Sequence, residues 1–311
     1  MPDESDAAVS NAAWIELLHA EVCWVLAGAG VDALVIKGPS ITDWLYPEGG
    51  RESVDVDLLV RPSHWDRAVT ALTARGFART WEGRREGEVS DHSLDLQRTD
   101  PELGGHGVDL HSYFPGIDLA SSAAFEVLWE RRVRGTQAGV EVTFPDVTSR
   151  ALIVALHAAR DPQSAKVAED LRRAMAALDP EERDDLALLA AELQARGALR
   201  AGLETQPETT DLVDVLGLGD AEVSTYWELR SHGAGRTAVR LDQLRAAPWR
   251  ERPGQVARWL FPSPALMRTR DQRAAEGTIG LGVAYAARLG QGVRALPAAV
   301  RELRAARRPH G

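Results

Sequence analysis

Lysine is almost missing from this chain of 311 residues: it stands only at positions 37 and 166, and arginine carries the rest of the positive charge. Cysteine occurs once, at Cys23, so no intrachain disulfide can form, which fits a reducing compartment. No apolar run approaches the roughly 20 residues of a membrane-spanning helix. Positive charge is in deficit overall, with a net charge of −10. That balance argues against a general nucleic-acid binder, which neutralises phosphates with a basic surface, but leaves room for a small nucleotide site. The opening Met-Pro-Asp-Glu-Ser-Asp is acidic and lacks the basic and apolar regions of a signal peptide, so the expected location is cytoplasmic. Phe and Tyr are scarce, at five and four, against nine Trp. Most Trp fall at helical core spacing and are expected to pack; Trp44 and Trp81 lie near the expected cleft, where either can stack on a base.

At 44% hydrophobic content the chain suffices for one large or two ordinary domains. Residues 11–27 carry Trp14, Leu17, Leu18, Val22, Val25 and Leu26 at helical spacing, with Ser10 or Asn11 as cap. Gly28-Ala29-Gly30 follows that helix and ends it, rather than forming a dinucleotide fingerprint. Residues 33–37 read as a short buried strand, Pro39 opens a short helix, and 54–60 form a second strand. A helix over 63–74 turns Trp65, Val69 and Leu72 inward and closes at Gly76. A strand over 77–81 and a hairpin of 93–98 with 108–114 follow. The expected fold class is α+β: a small mixed-sheet domain over residues 1–118, then a mainly α-helical domain over 119–311. The second part should hold helices near 121–132, 149–160, 163–178 and 180–196 and a short strand near 140–144, with Asp146 or Thr148 capping the helix at 149. Near the C-terminus Leu289, Val293, Leu296, Val300 and Leu303 recur at steps of four and three among arginines. That helix is expected to pack on its own domain with a solvated Arg face, kinked at Pro297.

The chemistry concentrates in Ser53-Val54-Asp55-Val56-Asp57-Leu58-Leu59-Val60. Residues two apart on a strand share a face, and an unpaired Asp is costly there. Two on one face are answered most simply by a divalent cation, and hence by metal-dependent chemistry on a phosphate. Three further elements can join them: Lys37-Gly38 at the end of the first strand, Arg51 in the loop before the second, and Asp109 in Val108-Asp109-Leu110-His111. Asp55, Asp57 and Asp109 can hold two Mg²⁺ ions together with phosphate oxygens, and Lys37 and Arg51 would balance a triphosphate. Asp95, in Leu94-Asp95-Leu96, is the rival third carboxylate but reads first as an outward or hairpin-pairing residue. His111 reads first as a satisfied strand histidine, and His92 and His106 as solvated. His157 and Asp170 read as a pair in the helical core, and Lys166 with Asp170 as a surface ion pair.

The run Ile36-Lys37-Gly38, Tyr46-Pro47, Arg51, Asp55-Val56-Asp57-Leu58-Leu59-Val60 and Val108-Asp109-Leu110-His111 resembles the uncharacterised bacterial nucleotidyltransferases of the DNA polymerase β superfamily. Leu156-His157, Asp170-Leu171 and Trp259-Leu260-Phe261-Pro262-Ser263-Pro264 extend the resemblance more weakly into the helical part. The resemblance implies a polymerase-β-like domain and an Mg²⁺- or Mn²⁺-dependent transfer of a nucleoside monophosphate from an NTP to an unidentified small-molecule, peptide or protein acceptor, releasing pyrophosphate. It implies that Asp55, Asp57 and Asp109 ligate metal, and that Lys37, Gly38, Ser40 and Arg51 face the nucleotide. The chain departs from the better-known superfamily pattern: Lys37-Gly38-Pro39-Ser40 stands where a Gly-Ser pair opens the phosphate-binding helix. The competing reading is a non-catalytic protein that holds a nucleotide or peptide in the same cleft.

Overall fold

The computed structural model of the chain describes residues 11–79, 92–100, 104–264, 267–268 and 271–307. The chain folds into two compact units. Of the described residues, the first comprises 11–79, 92–100, 104–153 and 177–194, the second 154–176, 195–264, 267–268 and 271–307.

The first unit is built on a mixed five-stranded sheet. Its strands are β1 (Ala33–Val35), β2 (Asp55–Val60), β3 (Ala78–Arg79), β4 (Ser93–Asp100) and β5 (Gly104–His111), in the order β1-β2-β5-β4-β3. Only β2 and β5 run parallel; every other neighbouring pair is antiparallel. Helix α1 (Asn11–Gly28) supplies Ile15, Leu18, Val22, Val25 and Leu26 to the core. After α2 (Pro39–Leu45), which begins at its proline as expected, α3 (Trp65–Thr73) supplies Ala68 and Leu72. Gly30 closes α1 at φ 66°, a conformation that favours glycine, and the Val31 amide returns to the Leu26 carbonyl at 2.9 Å.

After the sheet, α4 (Ser121–Glu130) is tied back by Arg61. That side chain donates to Asp32 Oδ2 at 2.7 Å, pairs with Glu126, and lies 4.8 Å from the Phe125 ring centre. A two-stranded hairpin of β6 (Val133–Gln137) and β7 (Val140–Phe144) follows. Strand β6 carries no alternating pattern, so only its pairing with β7 marks it as a strand. Helices α5 (Val147–Arg160), α6 (Ala165–Ala177) and α7 (Pro180–Glu192) come next. Asp146, not Thr148, caps α5, its Oδ1 accepting from the Ser149 amide at 2.9 Å. Asp179 and Glu182 form a reciprocal capping box on α7. The helix expected through residue 196 ends sooner because Gln194 turns left-handed at φ 55°, and α8 (Arg196–Leu203) starts afresh.

In the second unit, short helices lead to Arg236–Ala246 and to the long Gly277–Ala305 helix, which carries Pro297 inside it. Ala299 and Leu303 of the long helix pack with Ala238 and Val239, and Arg307 reaches Asp242 at 2.8 Å, while Val293, Leu296 and Val300 stay exposed. Among the described residues no helix is long and apolar enough to cross a membrane. The strand expected over 77–81 is present as β3, though Trp81, like Ser10, lies outside the described residues.

Gly202 makes close helix packing possible in this unit: a Cβ there would run into the Ala155 carbonyl. Gly202→Ala should therefore destabilise the protein by about 1–3 kcal/mol through overpacking. Gly290→Ala, in open space on the long helix, should stabilise it by up to about 1 kcal/mol through helix propensity. Urea unfolding followed by circular dichroism reads both signs.

Candidate active site

Strand alternation gives the sheet two chemically distinct faces. Val56, Leu58, Val60, Leu94, Leu96, Val108 and Leu110 point into the core with α1 and α3. The opposite face carries the polar set. Register places Asp57 of β2 beside Asp109 of β5, and Asp109 beside Asp95 of β4. The row on one side reads Leu59, His111, Ser93, and the row on the other reads Asp55, Gly107, Gln97. Three carboxylates thus lie side by side across three strands, an arrangement that repels itself unless cations or protons intervene.

Two cationic side chains do so. The Ile36 amide donates to the Asp57 carbonyl at 3.1 Å, prolonging the β1–β2 ladder to the residue before Lys37. Lys37 Nζ then donates to Asp57 Oδ1 at 2.6 Å. His111 Nε2 lies 3.3 Å from the same oxygen and 3.0 Å from Asp109 Oδ2. Burial alone would raise the Asp57 carboxyl, but Lys37 and then His111 outweigh it and hold it well below the usual carboxylate range. Asp109 also titrates low, its burial outweighed by His111. Burial would lower His111, yet Asp109 and then Asp57 carry it upward. Asp95 moves the other way, pushed up to about 6 by burial and then by Asp109. Two carboxylates can share a hydrogen bond only if one keeps its proton, and Asp95 is the one that does.

Asp57, Asp109 and His111 each offer a ligand atom, all within 4.8 Å of one another. Buried Asp109 Oδ1 has no hydrogen-bond partner among the described residues. Carboxylate oxygens are the donors that Mg²⁺ and Mn²⁺ take, so the residues present fit such an ion. Asp55 shares the face of Asp57 but stands outside this group of three, one row away beside Gly107.

The expected nucleotide-side residues lie around the turn after β1. Gly38 has φ 61°, and the space its missing Cβ would fill is taken by protein: His19 Nε2 at 2.8 Å and Ser53 Oγ at 3.3 Å. His19 donates through Nδ1 to the Ile15 carbonyl at 2.8 Å, an assignment set by that acceptor, and burial keeps its pKa low. Ser40 is fully buried, with no hydrogen-bond partner for its Oγ. Arg51 reaches Thr42 Oγ1 at 3.4 Å and stands 6.0 Å from the Tyr46 ring centre, so it is tied to α2.

Three residues gained importance over their reading from sequence. His111 joins the cluster. His92 is buried, not solvated, with its ring 5.7 Å from that of His111. Asp95 is the hairpin-pairing residue of its two expected readings, set opposite Asp109. Trp44 is half-buried, and the side chain of His106 lies outside the described residues. In the second unit Asp170 is buried on α6 and Lys166 is exposed.

A family model described as "uncharacterised nucleotidyltransferase" matches residues 4–210. The chain belongs to that family. Its mixed sheet and helical continuation bear out the expected α+β fold class. No curated protein matches the chain. Among solved structures, the antibiotic-resistance factor ANT(2'')-Ia, whose solution structure is described as revealing substrate-regulated conformation dynamics, aligns at a TM-score of 0.39 and 14% identity. The alignment covers 60% of this nucleotidyltransferase and 94% of that chain; a likeness at this level carries no argument about function.

The Asp95–Asp109 contact makes stability pH-dependent. The folded protein holds the Asp95 proton up to about pH 6, whereas an unfolded Asp releases it near about 3.9. Between those values the folded state binds more protons, so this contribution is lost as pH rises. Asp95→Asn should accordingly raise the melting temperature of chelator-treated protein, relative to wild type, more at pH 7.5 than at pH 4.5. An equal difference at both pH values would contradict the carboxyl–carboxylate assignment.

Proposed function

We propose that this nucleotidyltransferase moves a nucleoside monophosphate from an NTP to a small-molecule, peptide or protein acceptor in an Mg²⁺- or Mn²⁺-dependent reaction. The acceptor's hydroxyl, amine or phosphate oxygen bonds to the α-phosphorus, the bond from that phosphorus to the β-phosphate's bridging oxygen breaks, and pyrophosphate leaves. The observation that carries this reading is the convergence of Asp57 and Asp109, from adjacent parallel strands, with His111 on the polar face of the sheet.

The ion would supply charge neutralisation at the phosphates and stabilise the attacking and leaving oxygens. Asp57 and Asp109 would hold it, with Asp55 contributing from the neighbouring row. Asp109 is also the group proposed to take the acceptor's proton. Lys37 and Arg51 would face the triphosphate, with Gly38 and Ser40 shaping the turn between them. His111, buried and cationic between two carboxylates, fixes their orientation rather than meeting substrate.

Asp57→Asn and Asp109→Asn should each cut pyrophosphate release by more than about a hundredfold, since several kcal/mol of charge stabilisation is at stake. The assay combines each of the four NTPs, Mg²⁺ or Mn²⁺, and a lysate extract as acceptor source, with circular dichroism to verify the fold. Turnover near wild type in either variant contradicts the proposal. Nucleotide binding without release from any NTP would favour the reading as a binding protein.

A further inference from the structure

We propose that Lys37 is a built-in stand-in for the divalent cation: its ammonium occupies Asp57 while nucleotide is absent and yields that carboxylate when a triphosphate offers it another anion. This inference rests on the proposed nucleotidyl transfer and concerns how its metal and nucleotide arrive.

The argument starts from burial. Asp57 is only 3% exposed, and an uncompensated carboxylate there is costly. Lys37 and His111 both contact it, and they differ in freedom. His111 is 1% exposed, rooted in a sheet strand and fixed between Asp57 and Asp109. Lys37 lies past the last β1 residue, next to a glycine at φ 61°, with 20% of its side chain exposed. Its ammonium is a point charge on a four-carbon stem with freely rotating bonds. It is the movable partner of the two.

The 2.6 Å contact places the ammonium on Asp57 Oδ1 itself. A divalent ion bound to that carboxylate would sit at about 2.1 Å from an oxygen, in strong repulsion with an ammonium held there. Metal and Lys37 therefore compete for Asp57. A nucleotide triphosphate reverses the balance, because it gives the displaced ammonium a new partner. Metal alone should bind weakly, metal with triphosphate tightly, and by linkage each should promote the other.

The test is Mn²⁺ binding at neutral pH, followed by the paramagnetic resonance signal of the free ion, to wild type, Lys37→Met, Lys37→Arg and Asp57→Asn. Lys37→Met should bind Mn²⁺ about tenfold or more tightly than wild type, the order expected for relief of one partly exposed charge contact. Lys37→Arg should bind no more tightly than wild type, because a guanidinium keeps the charge on Asp57 and is harder to displace, and Asp57→Asn should lose the site. Unchanged or weaker binding by Lys37→Met, with Asp57→Asn still losing the site, overturns this inference and leaves the metal assignment standing. Binding that Asp57→Asn does not alter overturns both. Should Lys37→Met fail to fold, wild type decides. With only Lys37 and Lys166 present, saturating Mn²⁺ should raise acetylation of Lys37 relative to Lys166, read by peptide mass spectrometry; a constant ratio overturns the proposal.

Discussion

Asp57 is an anion held almost out of water between a lysine and a histidine, and the arrangement of the polar sheet face follows from keeping it there. Its backbone carbonyl accepts from Ile36, which brings Lys37 alongside. Its side chain needs that lysine, so the chain must turn sharply immediately afterwards, and Gly38 makes the turn with His19 packed where a Cβ would be. Helix α1 is thereby anchored to the site by His19 as well as to the core by its leucines. On the other flank His111 spans Asp57 and Asp109, so the parallel β2–β5 pairing is as much an electrostatic unit as a hydrogen-bonded one.

The parts of this arrangement legible in the sequence were those that depend on local pattern. Two Asp residues two positions apart on an apolar strand are a local signal, and so is a lone lysine where arginine is the rule. The elements of the sheet, from α1 through the β4–β5 hairpin, also emerge from hydrophobic period and turn chemistry. Identical patterns with different partners are not resolved that way. Leu94-Asp95-Leu96 and Val108-Asp109-Leu110 look alike, and only the hairpin register, which pairs Asp95 with Asp109, reveals that the two carboxyls meet. A one-residue slip would send one of them to the core. The sequence understates His111 and His92 for the same reason: their burial follows from neighbours across strands and loops, not from flanking residues. Gly38 invites a reading as a ligand-approach glycine, but the occupant of its open side is His19, a contact between residues nineteen positions apart.

The polar face is also partly balanced without any ion. Asp55, Asp57, Asp95 and Asp109 are its carboxylates; Lys37 and His111 lie against Asp57 and Asp109, and below about pH 6 a proton on Asp95 neutralises a third carboxyl. A site so compensated attracts a bare divalent ion only modestly, and such an ion must first displace a proton or a cation. The hydrogen-bonding demand runs the same way, since Asp109 faces, in Asp95, a carboxyl able to donate to it only when protonated.

That balance accounts for a lysine here in a chain whose one other lysine is Lys166. A guanidinium presents a planar fork suited to locking both oxygens of a carboxylate. Placed on Asp57 it would compete with His111 for Oδ1 and resist removal. An ammonium satisfies the charge with no bidentate geometry to break when it swings on its stem. Stability without ligand and accessibility to ligand make opposite demands on the partner of a buried catalytic-type carboxylate. A single, mobile point charge at the end of an edge strand meets both, while the immobile share of the compensation is assigned to a histidine locked in the sheet.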